Sequence, residues 1–560
     1  MKKYLFVLLN LGIVFLIKAQ SPTLQWAESF PQTTIRFITA DAAGNTYISG
    51  SFNGTVDFDP GPSVYNLSSL GGDDAFFIKL NSAGNMVWAK RLGASSFDDA
   101  ESIAVDNSGN VYITGGFGWT VDFDPGPGVY NLSSGSTTGT CYCNAFVLKL
   151  DALGNFVWAG KFDSFIWSYG YSIKVDAASN VYLTGGFQFN IDLDPSAVNN
   201  YSNAVTSQDT YLIKLNSSGN FVWGETFGII GMSRFFDMDS FGNFYWPGSF
   251  SNTADFDPGP GTSTLTSAGN NDCFILKLNN LGNLSWVKQI GGTGNDGTSD
   301  LKLDGTGNMY VIGSYQNTVD LDPGVSTFTT SSAGSDDIFI LKLNSGGNFI
   351  WAKTIGSIGS EGAYSLVLDP AGSPIFSGSF QNTLDFDPGP GTFNISPIGS
   401  YEAYFTELSS SGNFIGCFSI GGSSLAFASS ITFSGSSDLY TTGVFNSTST
   451  DFDPGPGTYT LSSVANDAYI QKLTTWPLSV NELKIEEAIK LFPNPTTGLF
   501  NIFLNEQAQI IITDVLGREI LNEKIQSGKQ TIDLTEQSIG IYFVKIIREN
   551  KPEVIKLIKE

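Results

Sequence analysis

The chain has 560 residues, with 28 Lys+Arg against 53 Asp+Glu and a formal net charge of −25. Charged side chains make up only 14% of it and no Lys/Arg cluster is visible, so the basic surface that a nucleic-acid partner needs is excluded. Histidine is absent, which removes His-based triads, His general bases and His metal ligands together.

Residues 1–20 read MKKYLFVLLNLGIVFLIKAQ. Lys2 and Lys3 precede an apolar run from Tyr4 to Ile17, and Ala19 is a small residue at a cleavage point. This predicts a signal peptide over 1–19, the run being short for a membrane span. No later segment approaches that length, so no transmembrane segment is expected in the mature chain. Disulfides become possible outside the cytoplasm. Cys141 and Cys143 sit close together, but Cys273 and Cys417 fall where other copies of the repeat place Ala75, Ala145, Ala403 or Ala89, and read as small core residues. There is no CxxC pair, so zinc is not expected.

From residue 24 to 473 one unit recurs. The phrase Asp-x-Asp-Pro starts at Asp57, Asp122, Asp192, Asp255, Asp320, Asp385 and Asp451, at a spacing of about 65 that suits a four-stranded propeller blade. The second copy reads as strands A (SIAVD), B (VYITGGF), C (AFVLKL) and D (FVWAGKF), rich in β-branched and aromatic residues and bounded by Gly-Asn turns. The DxDP segment lies between B and C. The first piece, Leu24-Gln25-Trp26-Ala27-Glu28, matches a D strand, and the last, Asp467 to Leu473, matches a C strand with no D after it. The two ends are therefore expected to complete one blade, closing a seven-bladed ring and removing exposed sheet edges.

Asp74-Ala75-Phe76 to Leu80, Gly84-Asn85, Trp88, Asp106, Gly109-Asn110-Val111-Tyr112 and Gly115 carry a resemblance to the seven-bladed β-propeller bacterial repeat. It implies an all-β fold of four-stranded blades over residues 20–473. The last copies drift: Gly416 stands for the D-strand Trp, Ser434 for the Asp after strand A, and Glu402 and Glu407 for the Asp and Lys of strand C.

Residues 20–473 hold 15 bases against 41 acids, so the acidity belongs to this region. The Asp column after strand A (Asp41, Asp106, Asp176, Asp239, Asp304, Asp369) reads as turn-forming. The DxDP pairs, Asp57/Asp59, Asp122/Asp124, Asp192/Asp194, Asp255/Asp257, Asp320/Asp322, Asp385/Asp387 and Asp451/Asp453, admit two readings. One is a turn that leaves strand B. The other is a set of Ca²⁺ ligands, which would need further oxygens, since the EF-hand order is missing. The Trp column (Trp26, Trp88, Trp158, Trp223, Trp286, Trp351) is expected to pack blade on blade. Odd aromatics such as Trp119, Phe165, Trp167 and Tyr169 are the candidates for surface contact.

After Thr474 to Glu482 the composition shifts, giving a linker over 474–484 and a module over 485–560. LFNIFL, AQIIITD, QTIDL, GIYFVKI and EVIKLIK alternate as strands of a small β-sandwich. Phe492-Pro493-Asn494-Pro495-Thr496-Thr497-Gly498, Asp514-Val515-Leu516-Gly517 and Gly540-Ile541-Tyr542 resemble the type A C-terminal sorting domain of the type IX secretion system. That resemblance implies the type IX machinery as partner, outer-membrane export in a Gram-negative bacterium, removal of the tail, and release or attachment to surface lipopolysaccharide. Pro493, Asn494, Pro495, Gly498, Gly540 and Tyr542 carry the sorting signal on this reading.

Two functions follow. Polar groups that repeat around a ring suit a binding, adhesion or scaffold module contacting an extracellular polymer. A carbohydrate-active enzyme would instead need unlike carboxylates that converge in the channel, and the pattern-breaking candidates are Asp163, Glu225, Glu361 and Arg234.

Overall fold

The computed structural model describes residues 22–134, 143–196, 200–204, 206, 208–228, 231, 234–434, 438–463, 465–474, 491–504, 507–548 and 551–560. The expected signal peptide, Cys141 and the expected linker beyond Thr474 lie outside them. The described residues form strands and turns with no helix, and the chain divides into two compact units between Pro477 and Leu478.

The first unit is built from antiparallel four-stranded sheets in the order A-B-C-D, here numbered I to VII along the chain. Sheet I comprises Thr33–Ala40, Thr46–Phe52, Asp74–Leu80 and Met86–Leu92. Sheets II to VI span 99–162, 167–227, 237–292, 296–355 and 362–422. Sheet VII takes A, B and C from Leu425–Ser434, Asp438–Asn446 and Asp467–Thr474, and its D strand from Thr23–Phe30. Glu28 pairs there with Ile470 and Phe30 with Ala468.

Strands B and C are buried along both faces, which is why Val111–Phe117 and Asn144–Leu150 are almost continuously apolar or small instead of alternating. Each core cluster draws on two sheets consecutive in this order. Phe77 and Trp88 of sheet I meet Ile103, Val111 and Phe123 of sheet II. Phe30 and Ile470 of sheet VII meet Ile35 and Phe52 of sheet I. The A strands of sheets I, II, III, V, VI and VII, with Phe235 and Phe236 just ahead of the A strand of sheet IV, line one cavity of about 260 Å³.

The segment between B and C folds as a small hairpin of its own, Thr55–Asp57 with Asn66–Ser68 in sheet I. Two of these hairpins also pair with the D strand of the preceding sheet, Gly291 with Asp320 and Gly421 with Asp451.

The second unit has a three-stranded sheet, Leu491–Phe492, Leu499–Leu504 and Gly528–Asp533, and a four-stranded one ordered Glu519–Ile525, Ala508–Asp514, Gly540–Arg548, Lys551–Lys559. Phe500 and Ile502 from the first share a core with Ile510, Val544 and Leu557 from the second. Sequence reading missed the strands at 491–492 and 519–525. Glu519–Ile525 lies at the edge of its sheet and is mostly exposed, so its polar composition hides it.

Candidate functional site

Most repeated polar residues are occupied in holding the cassette together. Asp106 accepts Ser108 N and Asn110 N, each at 2.9 Å, together with Asn110 Nδ2 and the Tyr112 hydroxyl. Burial raises its carboxyl, but these donors win and hold it below its ordinary value.

The DxDP pairs are likewise tied to their own loops. Asp57 Oδ1 accepts Asp59 N at 3.1 Å and Tyr65 N at 2.8 Å. Asp122, Asp192, Asp255, Asp320, Asp385 and Asp451 repeat both bonds. The second carboxylate, of Asp59, Asp124, Asp194, Asp257, Asp322, Asp387 or Asp453, accepts the N–H two residues on at 2.8–2.9 Å. The side chain between them (Phe58, Phe123, Leu193, Phe256, Leu321, Phe386, Phe452) is buried and anchors the hairpin. Among the described residues no group of three or more Cys, Asp or Glu is placed to hold a metal ion.

The Trp column packs between sheets. Trp26, Trp88, Trp158, Trp223, Trp286 and Trp351 lie against Gly84, Gly154, Gly219, Gly282, Gly347 and Gly412 in the C–D turn of the following sheet. A Cβ on any of these glycines would come within 2.9–3.2 Å of the ring. Beside each Trp a strand-C Lys sits over a strand-B Tyr at 4.5–5.5 Å from the ring centre.

Strand A repeats less closely than strands B and C. Strand A carries a one-residue bulge in sheets I, II, III, V, VI and VII, at Arg36, Glu101, Tyr171, Ser299, Tyr364 and Ser429. Each stands five residues before the one that opens the A–B turn, and the same count back from Asp239 in sheet IV gives Arg234. A bulge re-aims its side chain, and the residues that follow it line the cavity.

Four sheets contribute to one polar cluster there. Arg36 reaches Asp99 at 3.0 Å and Glu101 at 3.6 Å, and Arg234 Nη1 reaches Glu101 Oε2 at 2.7 Å. The Tyr169 hydroxyl donates to Asp99 Oδ2 at 3.2 Å. Burial pushes the Glu101 carboxyl up, with Arg234 and Arg36 pulling back and Asp99 adding to the rise. Burial and the neighbouring carboxylates raise the Tyr169 hydroxyl too. Asp99 Oδ1 is buried without a hydrogen-bond partner, while the Arg234 side chain is 55% exposed. Below this rim a second layer pairs Lys174 with Asp237 at 2.5 Å and Lys302 with Asp300 at 2.8 Å. Chemically the rim offers guanidinium donors and tyrosyl and seryl hydroxyls, a set suited to a hydrogen-bonding ligand.

Of the pattern-breaking residues read from sequence, Arg234 reaches this cluster. Asp163 pairs with Lys161 at 2.7 Å and accepts Asn144 Nδ2. Glu361 is buried and accepts Ser357 N at 3.0 Å. Glu225, pushed up to about 7 by burial and then by the Asp257 charge, lies on strand D of sheet III. Sequence reasoning missed Arg36, Asp99, Glu101 and Tyr171. Counting five residues back from the Asp column would have exposed the varying position.

In the second unit the motif residues brace the last strand. Asn494 donates to Lys556 O at 2.7 Å and accepts Ile558 N at 2.9 Å. Pro493 and Pro495 flank it. A Cβ on Gly498 would meet Thr535 Cα at 2.8 Å. Gly540 opens the strand on which buried Tyr542 donates to Ser538 O at 2.6 Å.

Residues 490–560 match the secretion system C-terminal sorting domain, and residues 87–115 match the β-propeller repeat. An uncharacterized WD repeat-containing protein of Acanthamoeba polyphaga mimivirus is 22% identical over 519 residues, covering 78% of this chain and 36% of that protein. The regulatory protein FlaEY of Caulobacter vibrioides is 23% identical over 145 residues, 26% of this chain and 15% of its own. The chain thus spans about a third or less of the length of these relatives. Among solved structures, PorZ, a surface component of the type IX secretion system of Porphyromonas gingivalis, aligns over 94% of this chain and 82% of its own at 12% identity and a TM-score of 0.24. Sqt1 of Chaetomium thermophilum aligns over 81% of this chain and 99% of its own at 8% identity and a TM-score of 0.32. Superpositions this loose carry no argument. The sorting-domain match at the C-terminal end and the β-propeller-repeat match in the first unit indicate a type IX-sorted protein that is secreted or held at the cell surface.

Proposed function

We propose that this protein is a ligand-binding or scaffold module that works outside the cell, with its recognition site at the axial rim of Arg36, Asp99, Glu101, Tyr169, Tyr171 and Arg234. On this reading residues 20–473 form a closed seven-bladed ring, 1–19 are a leader and 474–484 a linker. Residues 485–560 are a small β-sandwich, cleaved after export. The observation that carries the site is the meeting of Arg36, Asp99, Glu101, Tyr169 and Arg234, drawn from four sheets, in one cluster of ion pairs and hydrogen bonds. The ligand expected there is rich in hydroxyl groups, such as an extracellular polysaccharide, because the exposed Arg234 guanidinium and the tyrosyl and seryl hydroxyls of the rim can donate and accept hydrogen bonds. The DxDP carboxylates act as hairpin ties in place of calcium ligands; a melting shift with Ca²⁺ that disappears in Asp122→Asn would reverse that assignment. Surface lipopolysaccharide remains the expected anchor for the attached form.

Two experiments test the reading. Deletion of 485–560 should leave the protein in the periplasm, and continued export would remove the sorting role. On a glycan array, the wild-type propeller should give hits that Arg234→Met with Glu101→Gln abolishes. Hits that survive this double change would move the site elsewhere.

A further inference from the structure

The turn that leaves strand B for its hairpin is held in one conformation in sheets I to V. Gly54, Trp119, Phe189, Asn252 and Asn317 occupy the same place, three residues before the first DxDP carboxylate. They take φ of 75°, 64°, 79°, 61° and 58°. The hairpin imposes this, because the carbonyl of each accepts the N–H fifteen residues on at 2.7–2.8 Å. Left-handed backbone suits glycine and is tolerated by asparagine, whereas a bulky aromatic residue is strained there. Sheets II and III nonetheless place Trp and Phe at this turn, and both rings face solvent: Trp119 is 51% exposed and Phe189 63%. Phe189 meets Phe165 with ring centres 5.6 Å apart and planes at 38°, and Phe165 is itself 76% exposed. A pair that served stability would hide more of its surface. Strain kept for the sake of a solvent-facing ring points to use. Trp167 differs: a Cβ on Gly186 would meet its Cη2 at 3.1 Å, so its ring lies against strand B.

Both turns are tied to the connections that deliver the rim. Gly118 N, next to Trp119, donates to Asp98 Oδ1 at 3.0 Å, and Asp99 follows in the chain. Phe165 N donates to Asn190 Oδ1 at 3.1 Å, and that connection runs on to Tyr169 and Tyr171. Sheets II and III therefore carry the strained aromatics together with Asp99, Glu101, Tyr169 and Tyr171 of the rim. Hydrogen-bonding groups flank the rings. Thr120 Oγ1 and Ser133 Oγ share an exposed contact of 2.7 Å beside Trp119, and the Asn190 amide stands beside Phe189.

We propose that Trp119, Phe165 and Phe189 form a stacking platform for the sugar rings of a neutral polysaccharide that extends from the axial rim over sheets II and III. This rests on the reading of the rim as a polysaccharide site. The C–H face of a pyranose meets the electron-rich face of an aromatic ring, while its hydroxyls reach the polar groups at the ring's edge. Two stations on consecutive sheets suit a chain that presents the same flat face at each repeat. The acidity of residues 20–473 repels an anionic lipid surface or an acidic polymer, so a neutral sugar is the fitting occupant. Stacking uses the rings and leaves the turn amides as they are, Trp119 N being already bonded to Ser134 Oγ at 2.7 Å.

The test is affinity electrophoresis of the full chain in native gels cast with soluble β-1,4-glucan, β-1,3-glucan, β-1,4-mannan or α-1,4-glucan, with Tm measured alongside. Wild type should be retarded in at least one gel. Trp119→Asn with Phe189→Asn gives both turns the residue that sheets IV and V use. This variant should raise the Kd about tenfold while Tm holds or rises, since the strain is released. Phe165→Ser leaves both turns untouched and should weaken retardation as well. No retardation of wild type in any gel, an unchanged Kd in the asparagine variant, or a Tm that falls by several degrees overturns the platform. So does pelleting of wild type with phosphatidylglycerol vesicles that the asparagine variant loses. The rim is scored separately with Arg234→Met and Glu101→Gln. Retardation lost there but kept in the asparagine variant leaves the rim standing without the platform, and the reverse leaves the platform standing without the rim.

Discussion

Lys, Tyr and Trp recur in register from sheet to sheet on one side of the first unit, whereas the bulged residue of strand A is Arg36, Glu101, Tyr171, Ser299, Tyr364 or Ser429 in turn. The two columns obey different constraints. The repeated trio is set by its neighbour, because each Trp needs the C–D turn of the following sheet as a lid and each Lys a carbonyl on that turn. Lys149 donates to Ser217 O at 3.1 Å and Lys342 to Ser410 O at 3.0 Å. Sheet VI marks the limit of the rule. Sheet VII draws its D strand from Thr23–Phe30 and so has no C–D turn to offer, and in sheet VI the trio is replaced by Glu407, Ile375 and Gly416. Repetition ends where its physical partner ends. The bulge column has no such partner, and its variation calls for another cause, which the account assigns to recognition.

The comparison can be broken at several strengths. The largest effect is expected from Trp88→Ala, which empties the space under the Gly154 turn; a loss of about 3 kcal/mol should appear in equilibrium denaturation while binding at the rim survives. Next, Glu407→Gln should act through pH. Burial, followed by the Asp369 charge, pushes the Glu407 carboxyl up to about 8. The native chain therefore loses stability as the pH rises through that value, and the variant should lose less, by about 2 kcal/mol at pH 9. Asp122→Asn weakens two hairpin bonds and should cost about 1 kcal/mol, with no dependence on Ca²⁺. The smallest change in stability belongs to Arg234→Met with Glu101→Gln, within about 1 kcal/mol, because the buried charge leaves together with its partner. That double change should nonetheless remove ligand binding.

Much of this was legible in the sequence. A spacing near 65, with β-branched runs and Gly-Asn turns, announces the four-stranded cassette. The unmatched D strand at Leu24 and C strand at Leu473 announce their pairing. Local turn chemistry at Asp106 needs nothing beyond its neighbours in the chain. The rim was not legible for the opposite reason. Arg36, Glu101 and Arg234 are far apart in sequence, and they meet because the A strands of sheets I and II and the segment leading into the A strand of sheet IV converge on one cavity. A bulge leaves no compositional mark. The drift at Glu407 and Gly416 was visible as a departure from pattern, but its cause, the missing turn of sheet VII, is a fact of three-dimensional adjacency.

The most direct test is a hydrogen-exchange footprint of the first unit with and without a saturating glycan from the array. The account predicts slowed exchange confined to the amides around Arg36, Glu101, Tyr171 and Arg234. Protection at the DxDP hairpin tips or along the outer D strands, with the rim unchanged, would contradict it.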